Sequence, residues 1–334
     1  MPDLFVDPVI GSDSNVGSEA APFLTIQHAI NNAVPADVIK ISNKAAFIEG
    51  NLTFNTGFTG STTESNWLTF RVWNNGTIVN GNGDPCFELN GNDSFTSIFD
   101  TTPSYIALHG FIAHDYTGPA IQNGNVWLLA NFEVYGCGGS EQVSIPRYSR
   151  VLNGIIRDPD TNTRCATAGS VSWMDGLQVY GASGSQPALA ITNDFCSLIN
   201  SKFWNNDVPN FGNIFVSRRF CNIAHNTING LPNGNSEGLE FWGRANVIYN
   251  NLIANFSGAN GKPLKFSNSG VTQTFVGYNS FYNNATTEVV PISGSEAMDQ
   301  DIVETADPFT DEPNADFSLV ETALSKDTGY PDAG

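Results

Sequence analysis

Leu189-Ala190-Ile191, Ile214-Phe215-Val216, Leu239-Glu240-Phe241 and Leu264-Lys265-Phe266 are four apolar–variable–apolar triplets whose first residues stand 25 apart each time. That alternation is the period-two signature of a short strand with one buried face. Behind each triplet runs a second, Asn-marked segment: Leu198-Ile199-Asn200, Ala224-His225-Asn226, Ile248-Tyr249-Asn250 and Gly277-Tyr278-Asn279. Short strands returning at one phase mean stacked supersecondary units. A leucine-rich repeat would need a Leu-x-x-Leu-x-Leu frame, which this chain lacks. The reading left is all-β: a right-handed, single-stranded parallel β-helix, each repeat forming one coil. Asn, Gly, Ser and Thr recur where tight corners need αL backbone or side chains that bond their own main chain.

Followed toward the N-terminus, the Asn-type phase runs through His109, Asn131, Asn153, Gly176, Asn200, Asn226, Asn250 and Asn279. Amides repeated at one phase predict a hydrogen-bonded ladder along the stack. Two stretches, Glu141 to Arg150 and Asp158 to Arg164, break the pattern and read as corner insertions, where binding residues often sit. The loop from Thr56 to Asn66 is expected to project.

Composition agrees with an all-β solenoid. Charged residues make up 14% of 334, with 32 Gly and 23 Phe. A net charge of −19 argues against phosphate backbones and anionic membranes as partners. No apolar run approaches the roughly 20 residues of a membrane span, and Met1 to Asp7 lacks the basic and apolar regions of a signal peptide. The five cysteines include no CxxC, so neither a disulfide framework nor a zinc knuckle is indicated. Cys196 and Cys221, 25 apart, are expected as buried thiols in one core column.

Ile26, Ala29, Ile30 and Ala33 follow helical spacing behind Thr25, a candidate N-cap. A solenoid needs its first coil covered, and this short helix is the predicted lid. The chain then divides into an N-terminal strand, loop and capping helix (1–37), the β-helix (38–294) and a C-terminal capping segment (295–334). Asp7 precedes the loop Gly11-Ser12-Asp13-Ser14-Asn15 and Asp13 lies within it; an Asx-rich turn is the expected account, with a bound calcium ion the alternative. No cofactor is otherwise expected.

The opening Phe5-Val6-Asp7, Gly11-Ser12-Asp13-Ser14-Asn15, Pro22-Phe23-Leu24-Thr25-Ile26 and Ala36-Asp37-Val38-Ile39 resembles the entry of right-handed parallel β-helix proteins of the pectate-lyase-like superfamily. Ala306-Asp307-Pro308-Phe309 with Ala315-Asp316-Phe317-Ser318-Leu319 is similar to their closing segment. The resemblance implies the fold across nearly the whole chain and leaves function open, since lyases, hydrolases, adhesins and viral spikes share it.

Aligning the coils by phase puts Ala190, Phe215, Glu240 and Lys265 in one outward column, and Thr192, Ser217, Trp242 and Ser267 two residues on. Asp194, Arg218, Arg219 and Arg244 come next. Four of only 14 basic residues thus gather near a carboxylate and a tryptophan, a mixture suited to glycans. An eliminase would use Lys265, Arg244 or Arg218 as base; Trp242, Arg219 and Asp194 would bind. An inverting hydrolase needs two carboxylates about 6.5–9.5 Å apart, and Glu240 finds only Asp194, two coils away. The plain account makes Glu240 and Lys265 a surface ion pair worth about 0–1 kcal/mol. Pectate-lyase Trp-x-Asp-His and polygalacturonase Gly-His-Gly segments are absent, while Leu239 to Arg244 with Leu264-Lys265-Phe266 is loosely similar to alginate-lyase-type β-helices.

These observations favour a non-catalytic surface protein. The expected form is a virion decoration, fibre or spike module, outside the cell without a signal peptide. Its partners would be other virion proteins, a surface polysaccharide or further copies of itself. The alternative is a carbohydrate-active enzyme, a polysaccharide lyase ahead of a glycoside hydrolase.

Overall fold

The computed structural model describes residues 3–54, 67–100, 104–122, 125–209, 211–231, 236–258, 261–267, 273–285, 296–297 and 301–326. The Thr56 to Asn66 loop, expected to project, lies entirely outside them. The fold is an all-β, right-handed parallel β-helix of about seven turns with one short helix. Two compact units divide at Asp160/Thr161.

In the unit from Thr161 onward each coil holds three short strands. The first column is Arg164–Ala168, Leu189–Ile191, Gly212–Val216, Glu237–Phe241 and Lys262–Phe266, all parallel. Leu189, Ile214, Leu239 and Leu264 are register partners, as are Ala190, Phe215, Glu240 and Lys265. A repeat of 25 residues is therefore one full coil. The second column runs through Trp173–Asp175, Ser197–Ile199, Asn222–Ala224, Val247–Tyr249 and Phe275–Gly277. The third runs through Gln178–Tyr180, Lys202–Trp204, Thr227–Asn229, Leu252–Ala254 and Ser280–Tyr282. Leu239, Phe241, Ile248 and Ile253 come from three sides of one coil and are all fully buried.

The amide ladder exists, but at a different phase. Between the second and third columns, Asn200, His225, Asn250 and Tyr278 take αL backbone, with φ from 50° to 58°. The residues one position later turn inward: Ser201, Asn226, Asn251 and Asn279 are buried. The backbone N–H and Nδ2 of Asn226 donate to Asn251 Oδ1 at 3.1 and 3.0 Å, and those of Asn251 donate to Asn279 Oδ1 at the same distances. Asn279 in turn donates its N–H to Asp301 Oδ1. The phase read from the sequence mixes two columns, because an Asn fits an αL corner as readily as a buried rung.

In the unit ending at Asp160, Leu4–Val6, Val38–Ser42, Leu68–Trp73, Ser104–His114, Asn125–Tyr135 and Arg150–Arg157 pair in parallel succession. The longest strands turn a corner without breaking, at Gly110 (φ 68°) and Asn131 (φ 53°). Helix Ile26–Asn32 buries Ile26, Ala29 and Ile30, and Thr25 caps it by accepting from His28 N–H. Glu49 accepts the N–H groups of Ile26 and Gln27, satisfying further orphan donors of the first turn.

Asp7 makes the expected Asx turn, whereas Asp13 reaches across to the entry of the helix. Asp7 Oδ1 accepts from Val9 and Ile10, its Oδ2 pairs with Lys44 at 2.9 Å, and Asp13 accepts from Leu24 and Thr25. Glu141 to Arg150 is not a corner insertion. Glu141–Ile145 is a strand, and Pro146 to Ser149 is a tight turn closed by Ser149 Oγ donating to Pro146 O. All five cysteines are buried free thiols, and burial pushes Cys86 and Cys137 up to about 12.

The C-terminal hairpin, Phe309–Asp311 with Asp316–Leu319, is antiparallel. Phe309 and Phe317 bury against Leu252 and Ala254, so the hairpin covers the flank of the third column. Among the described residues no helix is long and apolar enough to cross a membrane.

Candidate functional site

The outward column at Glu240 and Lys265 gains an unexpected member. Strict alternation along Glu237–Phe241 would send Glu237 toward the core with Leu239 and Phe241. Gly238 interrupts it: a Cβ there would meet Ile253 and Phe256 at 2.9 and 3.2 Å, on the core side. Leu239 is buried as well. Two successive inward positions shift the alternation, and Glu237 emerges beside Glu240. In the next coil Lys262 is the register partner of Glu237, and Lys265 that of Glu240.

Lys265 Nζ lies 2.7 Å from Glu237 Oε1 and 3.3 Å from Glu240 Oε1. The two carboxylates are therefore within about 6 Å of each other. Glu240 Oε1 also accepts from Trp242 Nε1 at 2.9 Å and Ser267 Oγ at 2.8 Å. The second oxygen of each glutamate is buried without a hydrogen-bond partner. Burial raises Glu237 above the ordinary carboxylate range, opposed by Lys265. Burial also works against the Lys265 ammonium, but its bonds to Glu237 and Glu240 outweigh this and hold it above the usual lysine range. The pair expected at the surface is thus a buried triad, because the glutamates sit beneath the lysine and the indole.

Trp242 is 48% exposed yet fixed at two points. Its N–H is tied to Glu240, and its ring meets Phe215 edge-on at 5.6 Å. The remaining ring surface faces solvent as a rigid platform.

The basic residues of the following turn do not join this triad. Arg218 Nε donates to Thr192 O. Arg219 donates its backbone N–H to Asp194 Oδ1 and pairs through its guanidinium with Oδ2 at 3.4 Å. The Arg219 N–H holds Asp194 below the usual carboxylate range. Arg244 is exposed. It follows Gly243, where a Cβ would fall 1.7 Å from Arg218 O, so only glycine lets the two turns pass. Beside them Phe195 and Phe220 stack at 5.0 Å and 10°, both exposed and both in αL backbone.

Glu240, Lys265 and Trp242 therefore come together, Asp194 pairs with Arg219, and Arg218 and Arg244 stand apart. Glu237 is the residue that alternation hides. The 25-residue offset to Lys262, repeating that of Glu240 to Lys265, is the signal that could have found it.

No protein-family model matches the chain, and neither does any curated protein. Solved structures do resemble it. Pectate lyase Pel9A superimposes with a TM-score of 0.60 at 15% identity, covering 100% of this chain and 93% of that one. The complex of XylC with xylose gives 0.58 at 11% identity, covering 92% and 86%. The chain has the fold of pectate-lyase-like parallel β-helix proteins.

Proposed function

We propose that the face formed by Trp242, Glu240, Glu237 and Lys265 binds a polysaccharide. Trp242 would stack on a sugar ring, and Arg218 and Arg244 would meet acidic groups of the same chain. The carrying observation is the half-exposed indole locked by its bond to Glu240. An aromatic ring held rigid loses little entropy on stacking. Similarity in fold to a pectate lyase and to a xylose-bound protein supports the substrate class.

Binding suits the site better than elimination. A base must lose its proton before it can take one, and Lys265 is held protonated by two buried carboxylates. A glycoside hydrolase is the second reading, since retaining enzymes place their carboxyls about 5–5.5 Å apart and the Oε1 atoms of Glu237 and Glu240 lie no more than about 6 Å apart. No observation on this face favours a virion component.

The test is a tryptophan-fluorescence titration with polygalacturonate, alginate and xylan, using the parent protein and Trp242→Ala. A saturable change that weakens at least tenfold in a folded Trp242→Ala supports the proposal. Binding indifferent to that substitution, or no binding to any of the three, refutes it. Absorbance near 235 nm and reducing-sugar release, followed in the same samples, would expose turnover if it occurs.

A further inference from the structure

A second recessed site lies in the other unit, far in sequence from Trp242. Arg71, Val72, Asn74, Asp84, Pro85, His109, Gly110 and Asn131 line a cleft of about 360 Å³. Arg71 and His109 are register partners on Leu68–Trp73 and Ser104–His114, so their side chains project next to each other. The corner at Gly110 makes the recess. Its φ is 68°, and a Cβ there would press on Pro85 O at 2.9 Å and Val72 Cγ1 at 3.0 Å. Glycine is what leaves the hollow open between them.

Among the described residues, neither Arg71 nor His109 has a hydrogen-bond or ion-pair partner in the protein. In a chain with 33 acidic and 14 basic residues, at least six other cations stand in ion pairs among the described residues, as Lys40 does with Asp3, Lys44 with Asp7 and Arg157 with Glu133. Asp84 lines the same cleft without an ion pair to Arg71. The wall thus offers one cation, one imidazole, one carboxylate and the amides of Asn74 and Asn131, over an apolar floor of Val72 and Pro85. A guanidinium matches a carboxylate, while Asp84, His109 and an amide suit vicinal hydroxyls. A ligand with both features satisfies the whole lining, and a bare anion does not.

We infer that this cleft binds a hydroxylated carboxylate of sugar size, a hexuronate, with Arg71 on the carboxylate and Asp84 and His109 on ring hydroxyls. The site is independent of the polysaccharide face, and either can fail alone. Burial lowers His109, and the neighbouring Arg71 charge lowers it further. A carboxylate seated on Arg71 would offset that second cause, so His109 takes up protons more readily when the ligand is bound.

The experiment is an NMR titration of the histidine ring signals, with His109→Asn identifying the resonance. Free D-galacturonate, D-galactose and acetate are compared on the full chain. The expected result is a saturable His109 shift with galacturonate, an upward move of its pKa in the bound form, and little response to galactose. Arg71→Gln, at an exposed strand position, should weaken galacturonate at least tenfold with the other histidine signals unmoved. The inference is overturned by any of four results. These are equal responses to galactose and galacturonate, acetate saturating as tightly as galacturonate, survival of binding in Arg71→Gln, or no His109 shift at tens of millimolar ligand.

Discussion

Replacing Lys265 with Met keeps most of its aliphatic stem and removes the charge that Glu237 and Glu240 share. The glutamate side chains are 7% and 4% exposed, so neither can turn to bulk water. Removing one partner of a buried ion pair costs about 3–5 kcal/mol, and that is the loss expected at pH 8. The loss should shrink toward pH 5. A group whose folded pKa is raised gives its full stability below its unfolded value and loses it as pH rises through the folded one. Glu237 is already such a group. Without Lys265 its folded pKa climbs further, at about 1.4 kcal/mol per unit, so the deficit of the variant opens as pH rises from acid toward neutral. Urea unfolding followed by tryptophan fluorescence at pH 5 and pH 8 measures both quantities. Adding Glu237→Gln to Lys265→Met should recover part of the loss, because the amide needs no counter-charge. A single variant within about 1 kcal/mol of the parent at pH 8, the value of a surface pair, would refute the buried-triad account. So would a deficit identical at the two pH values.

Asn251→Ala should destabilise by about 3 kcal/mol or more in the same assay, since it removes the acceptor of Asn226 N–H and Nδ2 inside the core and each orphaned group costs about 1–3 kcal/mol. Val171 is β-branched, exposed and held at φ 57°, a conformation costing about 1–2 kcal/mol for such a residue. Val171→Asn should therefore raise stability by about 1 kcal/mol; a loss would mean that its side chain makes contacts outweighing the strain.

Most of the fold was legible because a coil repeats its own length. Leu189, Ile214, Leu239 and Leu264 share one register because a strand can pair in only one way with a copy of itself a full turn later. The capping helix announced itself through Ile26, Ala29 and Ile30 behind Thr25. The third strand of each coil was harder to see. Lys202–Trp204 and its equivalents hold three residues, too few for periodicity to register. The site was legible in part. Glu240, Lys265 and Trp242 could be aligned by phase, but the position of Glu237 depends on a local break in alternation at Gly238, and one glycine among 32 carries no flag. The Arg71–His109 cleft was hidden for another reason. Its walls come from residues 71 to 131, in the region where coils vary in length and phase arithmetic has no fixed step.

The amide column that runs from Asn226 through Asn251 and Asn279 to Asp301 also constrains how such a chain can change size. Each rung hands its N–H to the oxygen one turn onward, so every rung is both customer and supplier. Duplicating a segment that begins and ends at the same rung adds one more link and leaves every donor matched. Removing a handful of residues instead would bring an aliphatic side chain into the column and strand the amide before it. Length in this architecture is a discrete quantity, and its natural mutational step is the whole turn.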